Sequence, residues 1–264
     1  MERWASPYLE AQAAYLRALG RSAAAEVLER DQVYAVRTGV ASNTENGIIS
    51  PGDHPIGPEL AGELVAWMGA DAVPASWLVA EGAGRPETAG VLEQLGCEPE
   101  LEAWEMEAAI AELELTDIPA PAGVSIGAVE DARQLEAWLD VAGVCGWFDN
   151  AAERTAWQAL LSGLPLSASA PLVLYLANAG EQPVGMASAF YTPELCLLNA
   201  VAVVPEARRN GIGRALAHTR LEEARRRGLS IAVLAPSPDG ERLYQTLGFR
   251  RHLQPPARWF YLPA

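Results

Sequence analysis

Residues Leu197 to Arg214 read LLNAVAVVPEARRNGIGR: an apolar run, a proline, a basic turn and two glycines. The run from Leu197 to Val204, broken only by Asn199, has the length and apolarity of a strand buried on both faces. Pro205 lacks an N–H and ends the pairing. After Arg208-Arg209-Asn210-Gly211-Ile212-Gly213 the sequence predicts a helix beginning near Gly211. The first amides of a helix have no acceptor within it, and the macrodipole makes that end positive. Gly211 and Gly213 open the backbone to close approach, and the neighbouring arginines supply charge-assisted bonds to an anion. The turn therefore reads as a site for a pyrophosphate. It is neither GxxxxGK followed by Ser or Thr nor GxGxxG.

A second run lies downstream: Leu243-Tyr244-Gln245-Thr246-Leu247-Gly248-Phe249. Val203-Val204-Pro205 with Arg208-x-x-Gly211-x-Gly213, followed at this spacing by LYQTLGF, resembles the GNAT N-acetyltransferase superfamily. That resemblance implies an α/β (mixed α+β) fold, a central, mostly antiparallel sheet flanked by helices, with acetyl-CoA as co-substrate. It also implies roles for residues. The backbone of Val201, Ala202 and Val203 would hold the pantetheine arm and the acetyl carbonyl where the sheet splays. Arg208, Arg209, Asn210, Gly211, Ile212, Gly213 and Arg214 would surround the pyrophosphate, mainly through main-chain N–H groups. Tyr244 matches the family's usual acid at the departing sulfur; its other reading is packing beneath the closing helix.

Two positions depart from the family pattern. Ser237 stands where members commonly carry an Asn that contacts CoA. Leu197 stands where some carry a general-base Glu. Glu194 acting through a water is the remaining carboxylate on this strand, and Asn199 shares the face of Leu197 by period-two alternation. His218 and His252 have no supporting spacing and read as surface or packing residues. In the family the first two helices wall the acceptor site, so Trp147 and Phe148 between them read either as substrate contacts or as core.

The first half carries an echo of the second. Val91-Leu92-Glu93-Gln94-Leu95-Gly96-Cys97 aligns with residues 243–249, and each run precedes a Trp, Trp104 and Trp259. The first half has no arginine-glycine loop before its helix at Pro58, and Leu92 replaces the tyrosine. The expectation is a tandem of two GNAT-like domains: a degenerate one at 1–118 and a complete, acetyl-CoA-binding one at 122–264. TDIPAPAG, residues 116–123, marks the boundary. Within the first half, residues 5–30 read as one or two helices, 32–40 as a strand, 41–58 as loop, 58–68 as a helix and 101–110 as a strand.

Half of the 264 residues are hydrophobic and a fifth are charged, the composition of a globular protein. All 19 basic residues are Arg. Residues 1–120 hold 6 Arg against 21 acids and residues 121–264 hold 13 against 13, so the net charge of −15 belongs to the first half. Such a chain argues against nucleic acid as a partner. No apolar stretch approaches a membrane span, and the N-terminus lacks the pattern of a signal peptide. Cys97, Cys145 and Cys196 are odd in number and widely spaced, which predicts neither a disulfide framework nor a metal site. The expectation is a cytoplasmic monomer or homodimer. The resemblance implies an N-acetyltransferase that passes acetyl directly to a small-molecule or peptide amine in a ternary complex. The alternative is a non-catalytic acyl-CoA-binding or sensing protein in which Tyr244 only packs.

Overall fold

The computed structural model describes residues 4, 6–100, 105–115, 120–251 and 259–263. The chain divides into two compact units. The first comprises residues 1–103 and 253–264, the second residues 104–252.

In the first unit, helix α1 (Pro7–Leu19) starts on Ser6, whose hydroxyl accepts from the N–H of Leu9. Strands β1 (Glu26–Arg30) and β2 (Val33–Arg37) form a hairpin, with Asp31 and Gln32 both at positive φ in its turn. Strand β3 (Gly47–Ser50) leads into helix α2 (Pro58–Met68) and then strand β4 (Ser76–Val79), which pairs parallel to β3. Helix α3 (Arg85–Gln94) and the short β5 (Glu98–Pro99) follow. Ile48, Leu64, Met68, Trp77, Leu92 and Phe260 are among the buried side chains of its core.

In the second unit, β6 (Met106–Ala109) and β7 (Val124–Ala128) precede two helices, α4 (Ala132–Val144) and α5 (Ala151–Ser162). Asp131 and Asn150 cap them. The meander β8 (Leu172–Ala179), β9 (Gln182–Tyr191) and β10 (Leu195–Val203) is antiparallel throughout. Helix α6 (Ile212–Arg226), strand β11 (Ile231–Leu234), helix α7 (Pro238–Thr246) and β12 (Arg250–Arg251) complete the unit. The last strand, β13 (Trp259–Tyr261), belongs to the first unit.

The strand orders are β1-β2-β3-β4-β13-β5 and β7-β8-β9-β10-β11-β6-β12. Each sheet therefore takes one strand from the far end of the other half. Strand β6 enters the second sheet between β11 and β12, and β13 enters the first between β4 and β5. The expected boundaries, 1–118 and 122–264, differ from the observed units for this reason: the two echoed strands change places. Trp104 lies outside the described residues.

Two further expectations are corrected. Residues 26–30, read as helix, form β1; its burial is low because it is a sheet edge. Residues 47–50, read as loop, form the fully buried β3. Among the described residues no helix is long and apolar enough to cross a membrane.

Candidate acyl-CoA cleft and active site

Strand β10 does not run straight. Its register against β9 slips between Asn199 and Val201, and Ala200 sits at φ 36°, the mark of a bulge that bends the strand. On its other edge β10 pairs with β11 only at Leu195, Cys196 and Leu197. Beyond Leu197 the two parallel strands part. Residues 195–198 are buried and 199–203 half-buried, as expected where a sheet opens. Val201, Ala202 and Val203 thus keep β9 on one side and, among the described residues, have no strand partner on the other.

The turn after β10 presents unused donors. Arg209 has φ 66° and Gly211 φ 82°, both in the left-handed region that lets consecutive amides converge. Among the described residues nothing accepts from the N–H groups of residues 209–214; the first helical bond here is Ala215 N–H to the Gly211 carbonyl at 3.0 Å. Helix α6 has no capping side chain and no acid in its first turn, and its third residue is Arg214. Donors, macrodipole and arginine reinforce one another at one end. Helix α6 sits close to the sheet because Gly185 of β9 has no Cβ: one built there would lie 3.2 Å from both Ile212 and Leu216. A Cβ at Gly213 would meet nothing nearer than 4.0 Å, which leaves the backbone approachable.

The expected site residues separate into those brought together and those turned elsewhere. Residues 201–203 form the half-open edge of β10 and 209–214 the turn after it, with the Ile212 side chain buried. Arg208 is exposed, and its Nε donates to the Val203 carbonyl at 3.0 Å, so it braces the turn. Ser237 caps α7, its hydroxyl accepting from Gly240 N–H at 3.2 Å. Glu194 stands before β10, six residues from Ala200; at about 3.3 Å per residue that is about 20 Å away, too far for a bridging water. Trp147 packs between Trp138 and Trp157 with ring centroids 6.2 and 6.1 Å apart, and Phe148 lies against Gly143. His218 faces the Leu115 carbonyl at 3.2 Å. His252 lies outside the described residues.

Tyr244 lies on α7, 3% exposed, edge-on to Phe249. Its hydroxyl oxygen accepts from Arg220 Nη2 at 3.2 Å. Arg220 is 0% exposed. Its Nε donates to the Leu216 carbonyl, and its Nη1 donates to the carbonyls of Ser188 (3.0 Å) and Asn199 (2.8 Å). Asn199 and Ser188 are cross-strand partners at the edge of the bulge. Sequence reasoning missed Arg220, although the signal was present. The buried stripe Ala217, Leu221, Ala224 continues through position 220, one turn after Leu216.

Burial raises the two thiols of this region. Burial pushes Cys196, fully covered on β10, up to about 12, against the pull of Arg220 and Arg227. Burial also raises Cys145, partly offset by Arg208 beside it. Tyr175 rises to about 12 by burial, and its hydroxyl lies 2.7 Å from that of Tyr191.

A central strand that bulges and splays, an uncapped glycine-arginine helix start and a buried tyrosine on α7 thus lie in one unit. Residues 132–249 match the model of the Acetyltransferase (GNAT) family, and this segment is a GNAT domain. Solved structures are similar along most of the chain. A GCN5-related N-acetyltransferase from Kribbella flavida is 19% identical over 98% of this chain and 97% of its own, with a TM-score of 0.64. A conserved protein of unknown function from Staphylococcus epidermidis is 14% identical over 89% and 92%, with a TM-score of 0.56. A tandem GNAT protein from the clavulanic acid biosynthesis pathway is 15% identical over 96% and 94%, with a TM-score of 0.55. At these identities the likeness concerns the fold. No curated protein matches the chain.

Proposed function

We propose that the protein is an acetyl-CoA-dependent N-acetyltransferase with one working site per chain, in the second unit. The observation that carries this reading is the parting of β10 from β11 beyond Leu197 beside a turn whose N–H groups at 209–214 have no acceptor among the described residues. In this reading the turn binds the pyrophosphate, and the open edge of residues 201–203 holds the pantetheine amides and polarises the acetyl carbonyl. A neutral amine attacks the carbonyl carbon. The N–C bond forms, the C–S bond breaks, Tyr244 gives its hydroxyl proton to the departing thiolate, and the amine's surplus proton passes to solvent, from which the phenolate is reprotonated. No enzyme thiol takes part, in keeping with the raised Cys196. The acceptor is an amine of the small-molecule or peptide class, and the first unit is a degenerate copy without a site of its own.

The test is a calorimetric titration with acetyl-CoA, together with CoA release in the presence of a panel of primary amines. One site per chain and amine-dependent release are expected. Two equivalent sites would remove the degenerate-copy reading, and binding without turnover by any amine would leave an acyl-CoA sensor. Tyr244→Phe keeps the ring against Phe249 and removes only the hydroxyl. It is expected to lower kcat by roughly 10²-fold with acetyl-CoA affinity little changed. Retention of most of the turnover would return Tyr244 to a packing role.

A further inference from the structure

We propose that Arg220 is a positioning residue that fixes the bulge of β10 and aims the hydroxyl proton of Tyr244. The proposal rests on the acetyltransferase reading above. A guanidinium at 0% exposure is costly to bury, and a well-packed apolar side chain commonly does as well or better for stability. Among the described residues no carboxylate pairs with Arg220. Three carbonyls and one phenol oxygen absorb its donors instead. The Ser188 and Asn199 carbonyls are the last cross-strand pair before the register slips. A single Nη1 donating to both clamps β9 to β10 at the point where β10 turns toward the cleft. The Leu216 carbonyl lies on the same helix one turn earlier and fixes the guanidinium plane.

The fourth bond sets a direction. A phenol carries one hydrogen. Because its oxygen accepts from Arg220 Nη2, that hydrogen must turn away from the guanidinium, since two donors cannot share one line. Tyr244 thus accepts from Arg220 and keeps its own hydrogen to donate elsewhere, as a departing thiolate needs. The guanidinium joins the strand that would polarise the acyl carbonyl to the hydroxyl that would meet the sulfur. Bonds arranged this way act as a unit, so their removal is not additive.

The experiment is a double-mutant cycle of Arg220→Met and Tyr244→Phe, read as CoA release from acetyl-CoA with the best amine of the panel. Arg220→Met is expected to lower kcat by roughly 30-fold or more, with KM for acetyl-CoA within about threefold. In that background Tyr244→Phe should cost less than about threefold, against roughly 10² in the wild type. Multiplying effects, or a loss traced wholly to acetyl-CoA binding, would overturn the proposal while leaving the acetyltransferase reading intact. If Arg220→Met does not fold, Arg220→Lys replaces it: the charge stays, the planar fork is lost, and the same fall in kcat is expected at an unchanged Tm. Wild-type turnover by Arg220→Lys would refute positioning. A wild-type protein that binds acetyl-CoA but releases no CoA with any amine would overturn both readings.

Discussion

The two units contain the same strand-turn-helix, and it is open in one and shut in the other. In the second unit β10 leaves β11 after Leu197. In the first unit β3 stays paired with β4 along its whole length. The pairing then continues, Ala80 N–H to the Ser50 carbonyl at 3.0 Å and Gly84 N–H to the Gly52 carbonyl at 2.8 Å. Three glycines make this possible. A Cβ on Gly52 would lie 2.0 Å from the Ala80 carbonyl oxygen, one on Gly82 2.2 Å from the Gly52 backbone, and one on Gly84 2.3 Å from the His54 backbone. The turn differs as well. Pro55 and Pro58 carry no N–H, and the Ile56 N–H is taken by the Thr88 hydroxyl at 2.9 Å. The same topology thus leaves an open strand edge in one unit and a paired one in the other. Glycine serves both, leaving open space at Gly213 and giving another backbone segment room at Gly82.

The sharpest break in the comparison is Gly82→Ala. The new methyl would meet backbone that cannot yield, and a stability loss of about 3 kcal/mol is expected by urea unfolding. The matching change Gly213→Ala meets only open space and should raise stability by up to about 1 kcal/mol. Equal responses would mean the two turns are not opposite in kind. Next in size is Gly211→Asp, which puts a carboxylate where the second unit offers N–H groups. Acetyl-CoA affinity should fall at least tenfold, about 1.4 kcal/mol, and unchanged affinity by calorimetry would refute the pyrophosphate assignment. The smallest effect is expected from Ser237→Ala. Helix α7 carries a side-chain cap that α3, starting on Gly84, lacks. Loss of the cap should cost about 1 kcal/mol in thermal unfolding, with acetyl-CoA affinity little changed because the hydroxyl is engaged with Gly240. A large fall in affinity with stability intact would instead make Ser237 a ligand contact.

Much of the second unit was legible in the sequence because its signals are local. The apolar run ended by Pro205 gave β10, and the arginine-glycine turn after it gave the start of α6. The first unit was harder where burial is one-sided. Glu-Val-Leu-Glu-Arg at 26–30 has no alternation because the edge strand it forms buries almost nothing. The exchange of β6 and β13 was not legible at all. A period of two tells which side chains share a face, but the partner of a strand is set by hydrogen bonds that carry no residue code. Arg220 shows the opposite failure: its place on the buried stripe was readable, yet a charge there conflicts with the usual composition of a core.

The exchanged strands also set an order of assembly. A ribosome delivers residues 105–109 before any other strand of the second sheet, so β6 must wait for β11 to arrive. The first sheet waits longer. Between β4 and β5 it lacks its middle strand until residues 259–261 emerge, after every element of the second unit has been made. During synthesis the N-terminal half is thus a nascent chain with an unpaired interior edge, a template for a wrong strand, and the unit begun first is the one finished last.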